Sequence, residues 1–145
     1  MDKIFMQRAI ELSKKAVEHG NEPFGAVLVK DNKIVYENEN QIYTRYVNGI
    51  KHTDYFKKED FQSKNIIILE IPVGYADNNY YLDLKNVGTG NGYYVTNGSS
   101  KKIKWEKVNR KSQTTYKYED GTELVVNDGN TYIMFRSSDQ TLNIS

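Results

Sequence analysis

Apolar residues recur at every third or fourth position in the first part of the chain. Over residues 2–19 they fall on one stripe of a helix, and Asp2 and Gly20-Asn21 are typical of a helix start and end. The stripe consists of Phe5, Ala9, Leu12 and Ala16, widened by Met6, Ile10 and Val17. The pattern therefore predicts an amphipathic helix over Asp2–His19.

The pattern then changes to short strands separated by turn sequences. A hairpin is predicted first, from Phe24–Val29 and Lys33–Glu37 around Lys30-Asp31-Asn32. Beyond Gln41, several apolar runs alternate with polar residues, as half-buried antiparallel strands do. These runs are residues 65–73, 79–84, 92–97, 101–108, 114–120, 122–127 and 131–136. We predict an α+β fold, with the helix and hairpin followed by a mainly antiparallel β meander or sandwich of seven to nine strands in all, and a flexible tail at residues 137–145.

Composition narrows the function classes. The chain has 145 residues, a net charge of +1 from 20 basic and 19 acidic side chains, and no cysteine. This balance argues against nucleic acid as a partner, and the lack of cysteine excludes disulfides and thiolate zinc sites. No apolar run approaches the length of a membrane span, and the first residues lack a signal-peptide core. We therefore expect a soluble chain, while its compartment stays open.

The segment Arg8–Asn40, "RAIELSKKAVEHGNEPFGAVLVKDNKIVYENEN", resembles the N-terminus of zinc-dependent nucleoside deaminases. That resemblance implies a base-contacting Asn at the end of the hairpin, which falls on Asn40. It also implies a following His-x-Glu motif, whose Glu carries protons, and a later Pro-Cys-x-x-Cys that completes the zinc site. Neither motif is present. The nearest sequence is His52-Thr53-Asp54, and a hydrolytic zinc needs three protein ligands that the chain does not space correctly.

We therefore expect no catalytic residue, no metal ligand and no cofactor, with His52 an exposed loop residue. Asn40 is the one vestigial candidate for substrate contact. Enzymatic activity is not expected.

From Tyr43 onwards, the chain resembles a second family, the YerB-like bacterial lipoproteins that carry a domain of unknown function, DUF3048. The segments that carry this resemblance are "YTRYVNGIKHTD" (43–54), "KNIIILEIPV" (64–73), "VGTGNGYYVTNG" (87–98), "IKWEK" (103–107) and "DGTELVVNDGNTYIMF" (120–135). Members are typically anchored outside the cytoplasmic membrane through a lipid-modified cysteine, which this chain lacks. The resemblance implies a β-rich module of unknown ligand.

Together the two resemblances predict a chimera joined between Lys33 and Arg45. Residues 1–40 would form a truncated deaminase-like segment and residues 41–136 a YerB-like β domain. The leading interpretation is a non-enzymatic interaction or envelope-associated module, and the alternative is an inactive, degenerate deaminase. The partner is unknown, and an exposed helix stripe with unpaired hairpin edges would favour a homo-oligomer.

Four further signals have structural explanations that we prefer. Gly88–Gly92, "GTGNG", is interpreted as a turn, because a strand and not a helix follows it. Trp105 is expected to be half-buried on a strand. The basic residues of Lys101–Lys111 are interpreted as a solvated hairpin face, the alternative being an anionic polymer bound at Lys101, Lys102 and Lys104. Tyr80-Tyr81 and Tyr93-Tyr94 each place one ring on either side of a strand.

Overall fold

The computed structural model describes residues 3–39, 41–76 and 81–144. Within these ranges it contains one helix, α1 (Lys3–Glu18), and thirteen strands in three sheets. The strands are β1 (Gly25–Lys30), β2 (Lys33–Glu39), β3 (Ile42–Val47), β4 (Ile50–Lys51), β5 (Gln62–Ser63), β6 (Asn65–Glu70), β7 (Val73–Tyr75), β8 (Leu82–Leu84), β9 (Gly88–Thr96), β10 (Ser99–Lys107), β11 (Thr115–Tyr118), β12 (Thr131–Arg136) and β13 (Leu142–Ile144). The predicted α+β class is confirmed, with most of the structure in strands.

Helix α1 covers one face of the first sheet. Its buried side chains Phe5 and Leu12 pack against Val27 and Val29 of β1. The close approach depends on Gly25, because a Cβ atom there would lie 2.2 Å from the carbonyl oxygen of Ala9. The four central residues of the predicted stripe, Phe5, Ala9, Leu12 and Ala16, are buried, as predicted. The flanking residues Met6, Ile10 and Val17 are exposed, because the contact with a single sheet face covers less than half of the helix surface.

The first sheet has the strand order β13-β1-β2-β3-β4, with β5 paired to β3. The predicted hairpin is its centre. Asp31 and Asn32 adopt φ values of 49° and 59°, which a two-residue turn between twisted strands requires and which Asp and Asn tolerate.

The second sheet packs on the other face of the first. Its order is β11-β10-β9-β6-β12, antiparallel except for the parallel pair β6–β12. The shared core joins Leu28, Tyr36 and Tyr43 of the first sheet to apolar side chains of the second, Ile66, Ile68 and Val95. The far face of the second sheet has its own cluster around Trp105 and Ile67. The molecule is thus a β-sandwich with one helix on its outer face.

The predicted domain boundary at residues 40 and 41 falls between paired strands. β2 and β3 are antiparallel neighbours, with Glu37 opposite Thr44 and Tyr36 opposite Arg45. Leu28, from the segment predicted to be deaminase-like, packs in the same core as Ile66, from the segment predicted to be YerB-like. The two segments therefore share one hydrophobic core.

Two predictions about strands are wrong. Residues 142–144 of the predicted tail form β13, which pairs with β1, because Leu142 and Ile144 both reach the sandwich core. Residues 122–127, predicted as a strand, form only an isolated bridge from Glu123 to Lys117. Leu124 within them folds over the far-face cluster instead.

The glycine-rich prediction is also wrong, since Gly88–Gly92 is the first half of β9 and not a turn. Gly90 is needed there because the indole of Trp105 lies against it, and an added Cβ would be 2.6 Å from the indole nitrogen Nε1. Trp105 itself is 3% exposed, so it is buried and not half-buried as predicted. Its Nε1–H donates to the carbonyl oxygen of Glu70 at 3.1 Å, which satisfies the one polar atom of the side chain.

Candidate ligand site between the two sheets

The candidate site lies where β2 and β3 of the first sheet face β12 of the second. Tyr36 and Arg45 are direct cross-strand partners on the inner face of the first sheet. Tyr132 of β12 closes the site from the other side, with its ring centroid 5.9 Å from that of Tyr36. The guanidinium carbon of Arg45 lies 5.1 Å from the Tyr132 ring centroid, a cation–π distance.

Two cavities meet at these three side chains. The larger measures about 360 Å³ and the smaller about 110 Å³, and Tyr36, Arg45 and Tyr132 line both. Val35 and Met134 give the larger cavity apolar walls. Ser63 faces the smaller one. We call these two cavities together the inter-sheet cleft.

The inter-sheet cleft holds polar atoms that lack protein partners. The Tyr36 side chain is 2% exposed, yet its hydroxyl has no hydrogen-bond partner among the described residues. The buried hydroxyl of Ser63 is in the same situation. Leaving such groups unpaired costs about 1–3 kcal/mol each. A ligand in the cleft could therefore gain hydrogen bonds that the protein has left free.

The environment of the Tyr36 hydroxyl is set by burial and by Arg45. Burial raises the pKa of Tyr36 well above its ordinary value, the Tyr132 hydroxyl adds to the rise, and Arg45 opposes it. Tyr36, Arg45 and Tyr132 line the cleft together. Because its pKa is raised, Tyr36 keeps its proton at neutral pH and can donate a hydrogen bond.

His52, the histidine of the His-Thr-Asp sequence, is a neighbour of the cleft. Its ring nitrogen Nδ1 accepts a hydrogen bond from the guanidinium of Arg45, which has only donors to offer. Its ring also stacks on Phe61, with centroids 4.3 Å apart. The prediction of an exposed His52 is wrong, since these contacts leave it half-buried. The Asp54 carboxylate instead caps a turn by accepting from the backbone N–H groups of Phe56 and Lys57.

The other sequence candidates do not form a site in the part of the chain that the structure describes. Asn40 lies outside the described residues. Within them, no three His, Asp or Glu side chains gather closely enough to hold a metal ion. Tyr80 lies outside the described residues. In the other tyrosine pair, Tyr94 is buried and Tyr93 is half-buried, as the alternation predicts.

The basic residues of Lys101–Lys111 do not form one patch. Lys101 lies beside the Tyr118 ring, with its Nζ 5.4 Å from the ring centroid. Lys104 is on the opposite face of β10, where it pairs in register with Lys117 and lines a cavity of about 500 Å³ with Glu106 and Glu119. The strand alternation thus divides the positive charge between two faces.

The charged side chains between helix and sheet are structural. Arg8 forms a two-pronged ion pair with the buried Glu37, at 2.6 and 2.9 Å, and the Tyr46 hydroxyl donates to the same carboxylate at 3.0 Å. Lys15 and His19 contact Glu39 at 3.1 and 2.7 Å. These groups pair with one another across the contact between the helix and the first sheet.

Sequence reasoning missed Arg45 and Tyr36 as site residues, although one signal was present. Arg45 follows Tyr43 by two positions, so strand alternation places a guanidinium on the same inward face as a buried tyrosine. A cation at an inward position of a half-buried strand is unusual enough to mark a site. Tyr132 could not be linked to it, because the parallel β6–β12 pairing brings it there from far along the chain.

Comparison with known proteins defines the class of this chain. Residues 26–133 match the family described as protein of unknown function (DUF3048), C-terminal domain. The chain therefore belongs to this family, and the YerB-like resemblance is confirmed. The match also takes in the hairpin β1–β2, which the sequence attributes to a deaminase-like segment. The deaminase resemblance and the chimera stay predictions.

A solved structure of the YerB protein from Bacillus subtilis shares the fold. The TM-score is 0.64 at 20% sequence identity, over 91% of this chain and 52% of that one. The chain thus spans about half the length of that protein. No match was found among curated proteins. In the described part of the chain, no helix is both long and apolar enough to cross a membrane.

Proposed function

We propose that this chain is a non-enzymatic YerB-like binding module that takes its ligand in the inter-sheet cleft. The observation that carries the proposal is the Tyr36 hydroxyl, which is buried at the cleft and meets full hydrogen-bond geometry with no other described residue. Family membership supports a module of this class without naming its ligand. The described residues supply a cation, hydroxyl donors and apolar walls, which suit binding, and no nucleophile–base pair is seen beside them.

A fragment screen by nuclear magnetic resonance on the whole chain tests this proposal. Fragments should shift the signals of Tyr36, Tyr132 and Met134, which line the larger cavity. The single tryptophan is a built-in control, because its indole N–H is buried against Glu70 on another face. A screen without hits, or with hits only at the Trp105 hairpin, would contradict a binding role for the cleft.

We further propose an envelope-associated interaction role. Support comes from the resemblance to YerB-like lipoproteins, whose members are typically anchored outside the cytoplasmic membrane. Fractionation of cells that express the complete gene product tests this part separately. Recovery with the envelope fraction is expected, and recovery only in the cytosol would contradict it.

The second candidate function is a degenerate nucleoside deaminase without its zinc site. One observation favours this candidate. Helix α1 packs on the hairpin β1–β2, as the resemblance to deaminases implies. One equivalent of zinc that is lost in His52→Ala, or any deamination of cytosine, guanine or adenosine, would show that deaminase chemistry survives in the chain. We expect neither, because the Nδ1 atom of His52 is already engaged by Arg45.

A further inference from the structure

We infer that the inter-sheet cleft binds a small carboxylate with a flat apolar body, its carboxylate held by Arg45 and the Tyr36 hydroxyl. The inference rests on the proposed binding role and names the class of ligand. It follows from the charge of Arg45, the free hydroxyl of Tyr36 and the shape of the cleft.

Arg45 is a half-buried cation whose contacts are all with neutral groups. It meets the His52 ring nitrogen and the face of Tyr132, and no carboxylate of the described residues forms an ion pair with it. By contrast, Arg8 and Arg136 each pair with a glutamate. A guanidinium partly removed from water gains most from an anion that it can bind through two parallel N–H groups.

The Tyr36 hydroxyl is placed to donate to the same anion. The Arg45 guanidinium lies close enough to the Tyr36 hydroxyl to oppose the rise of its pKa, by its charge and by a side-chain hydrogen-bonding contact, although that contact falls short of full hydrogen-bond geometry. Tyr36 and Arg45 are also register partners on adjacent strands. One acceptor group could therefore bridge the hydroxyl and the guanidinium.

The walls and mouth of the larger cavity select the rest of the ligand. Its volume of about 360 Å³ lies in the range of small-molecule sites, roughly 300–1,000 Å³. Tyr132 and Met134 offer an aromatic face and a thioether, both suited to a flat apolar group. Lys30 and Lys33 outnumber Asp31 at the lining, so the field there attracts anions.

A carboxylate fits this donor set better than a phosphate. Arg45 and Tyr36 supply one planar guanidinium and one hydroxyl, which match the two oxygens of a carboxylate, while Ser63 lines the smaller cavity and Lys30 and Lys33 line the larger one. A phosphate carries more charge and more acceptors than Arg45 and Tyr36 can satisfy. Sites for phosphate commonly add backbone N–H groups at a helix N-terminus, and the helix of this chain lies on the other face of the first sheet.

The test is calorimetric titration of the whole chain with benzoate and with its neutral isostere benzamide. Benzoate should bind at least tenfold more tightly, because it alone accepts from both groups with full charge. Arg45→Gln and Tyr36→Phe should each weaken benzoate about tenfold and weaken benzamide less, because its carbonyl oxygen accepts without a full charge. Lys104→Gln, which alters an exposed lysine of the other large cavity, is the matched control and should bind benzoate normally.

The outcomes separate the inference from the proposed function. Equal binding of both compounds at the cleft would overturn the carboxylate inference and leave the binding module in place. Benzoate binding that Lys104→Gln weakens and Tyr36→Phe does not would also overturn it. If neither compound binds and the fragment screen finds no cleft ligand, the proposed function fails as well. Tyr36→Phe removes one oxygen only, so it keeps the test valid if Arg45→Gln does not fold.

Discussion

The two sheets each bury a polar cluster, and the two clusters differ in how completely they are paired. In the second sheet, Asn65 is 0% exposed and its side-chain oxygen accepts from the hydroxyls of Tyr94 and Thr96 at 3.0 and 2.9 Å. Its side-chain nitrogen donates to the carbonyl oxygen of Asn127 at 2.8 Å. Asn127 in turn donates its backbone N–H to Tyr94 and its side-chain N–H to Thr96.

The first sheet shows the opposite arrangement. Tyr36, Asn38 and Ser63 each bury side-chain polar atoms that have no hydrogen-bond partner in the described ranges. Asn38 is opposite Tyr43 in one strand pair, and Ser63 is opposite Tyr43 in the next, so all lie along one inner face.

The two clusters have different roles in this fold, because the paired cluster stabilises the structure and the unpaired one is available to a ligand. The fully paired network of Asn65 fixes the start of β6 and the loop before β12. Because its polar atoms already have partners, it does not favour a ligand. An open set such as that of Tyr36 and Ser63 lowers stability, and it persists where another molecule supplies the missing partners. The same type of substitution should therefore lower stability in the paired cluster and raise it in the unpaired one.

The largest expected effect is that of Asn65→Leu. It should lower the free energy of unfolding by about 3 kcal/mol, because the Tyr94 and Thr96 hydroxyls lose their acceptor and Asn127 loses its donor. Urea unfolding of the whole chain measures this. A loss below about 1 kcal/mol would mean that the network is not structural.

A pair of tyrosine substitutions isolates one hydroxyl in each cluster. Tyr94→Phe should cost about 1.5 kcal/mol, because Asn65 and Asn127 both lose a partner. Tyr36→Phe should instead raise stability by up to about 1 kcal/mol, since it removes a buried hydroxyl that has no regular hydrogen-bond partner. Both values come from the same unfolding experiment. Equal losses would contradict the distinction between the clusters.

Asn38→Leu repeats the first substitution in the open cluster and should have the opposite sign. Asn38 is fully buried with both polar atoms unpaired. A leucine of similar size removes that penalty, so stability should rise by about 1 kcal/mol. A rise in thermal midpoint beside the fall for Asn65→Leu would confirm the comparison. A loss as large as that of Asn65→Leu would overturn it.

The smallest expected effect concerns a polar group outside both clusters. Burial alone would raise the pKa of Glu39, but hydrogen bonds from Lys15 and His19 outweigh it and lower the pKa. Its contribution to stability is therefore present above the ordinary glutamate pKa of about 4.3 and is lost as pH falls through the lower folded value. Glu39→Gln should flatten the fall of the thermal midpoint in that acid range. An unchanged slope would show that the helix does not depend on this contact.

Local pattern predicted the parts of the fold that rest on neighbouring residues. The apolar stripe that includes Phe5 and Leu12 correctly predicted the helix, and Asp31-Asn32 correctly predicted the turn of the hairpin β1–β2. Non-local pairing could not be predicted in the same way. β13 is only three residues long, and its pairing with β1 depends on a core that the whole chain builds. Gly90 looked like a turn residue because nothing in sequence shows that Trp105 lies against it.

The candidate site was the least predictable part for the same reason. The sequence His52-Thr53-Asp54 made His52 a candidate because of its similarity to the deaminase motif. In the structure, His52 contacts the guanidinium of Arg45. Tyr36 and Arg45 meet through a cross-strand register, and Tyr132 joins them only when the two sheets pack. Whether the Tyr36 hydroxyl finds a partner depends on these contacts and not on its neighbours in sequence.

The most direct test of the central claim is a crystal structure of the chain grown with benzoate. We expect the benzoate carboxylate to lie about 3 Å from both the Tyr36 hydroxyl and the Arg45 guanidinium, with the benzoate ring against Tyr132. Density for benzoate elsewhere, or a cleft closed by a direct hydrogen bond from Arg45 to Tyr36, would contradict it.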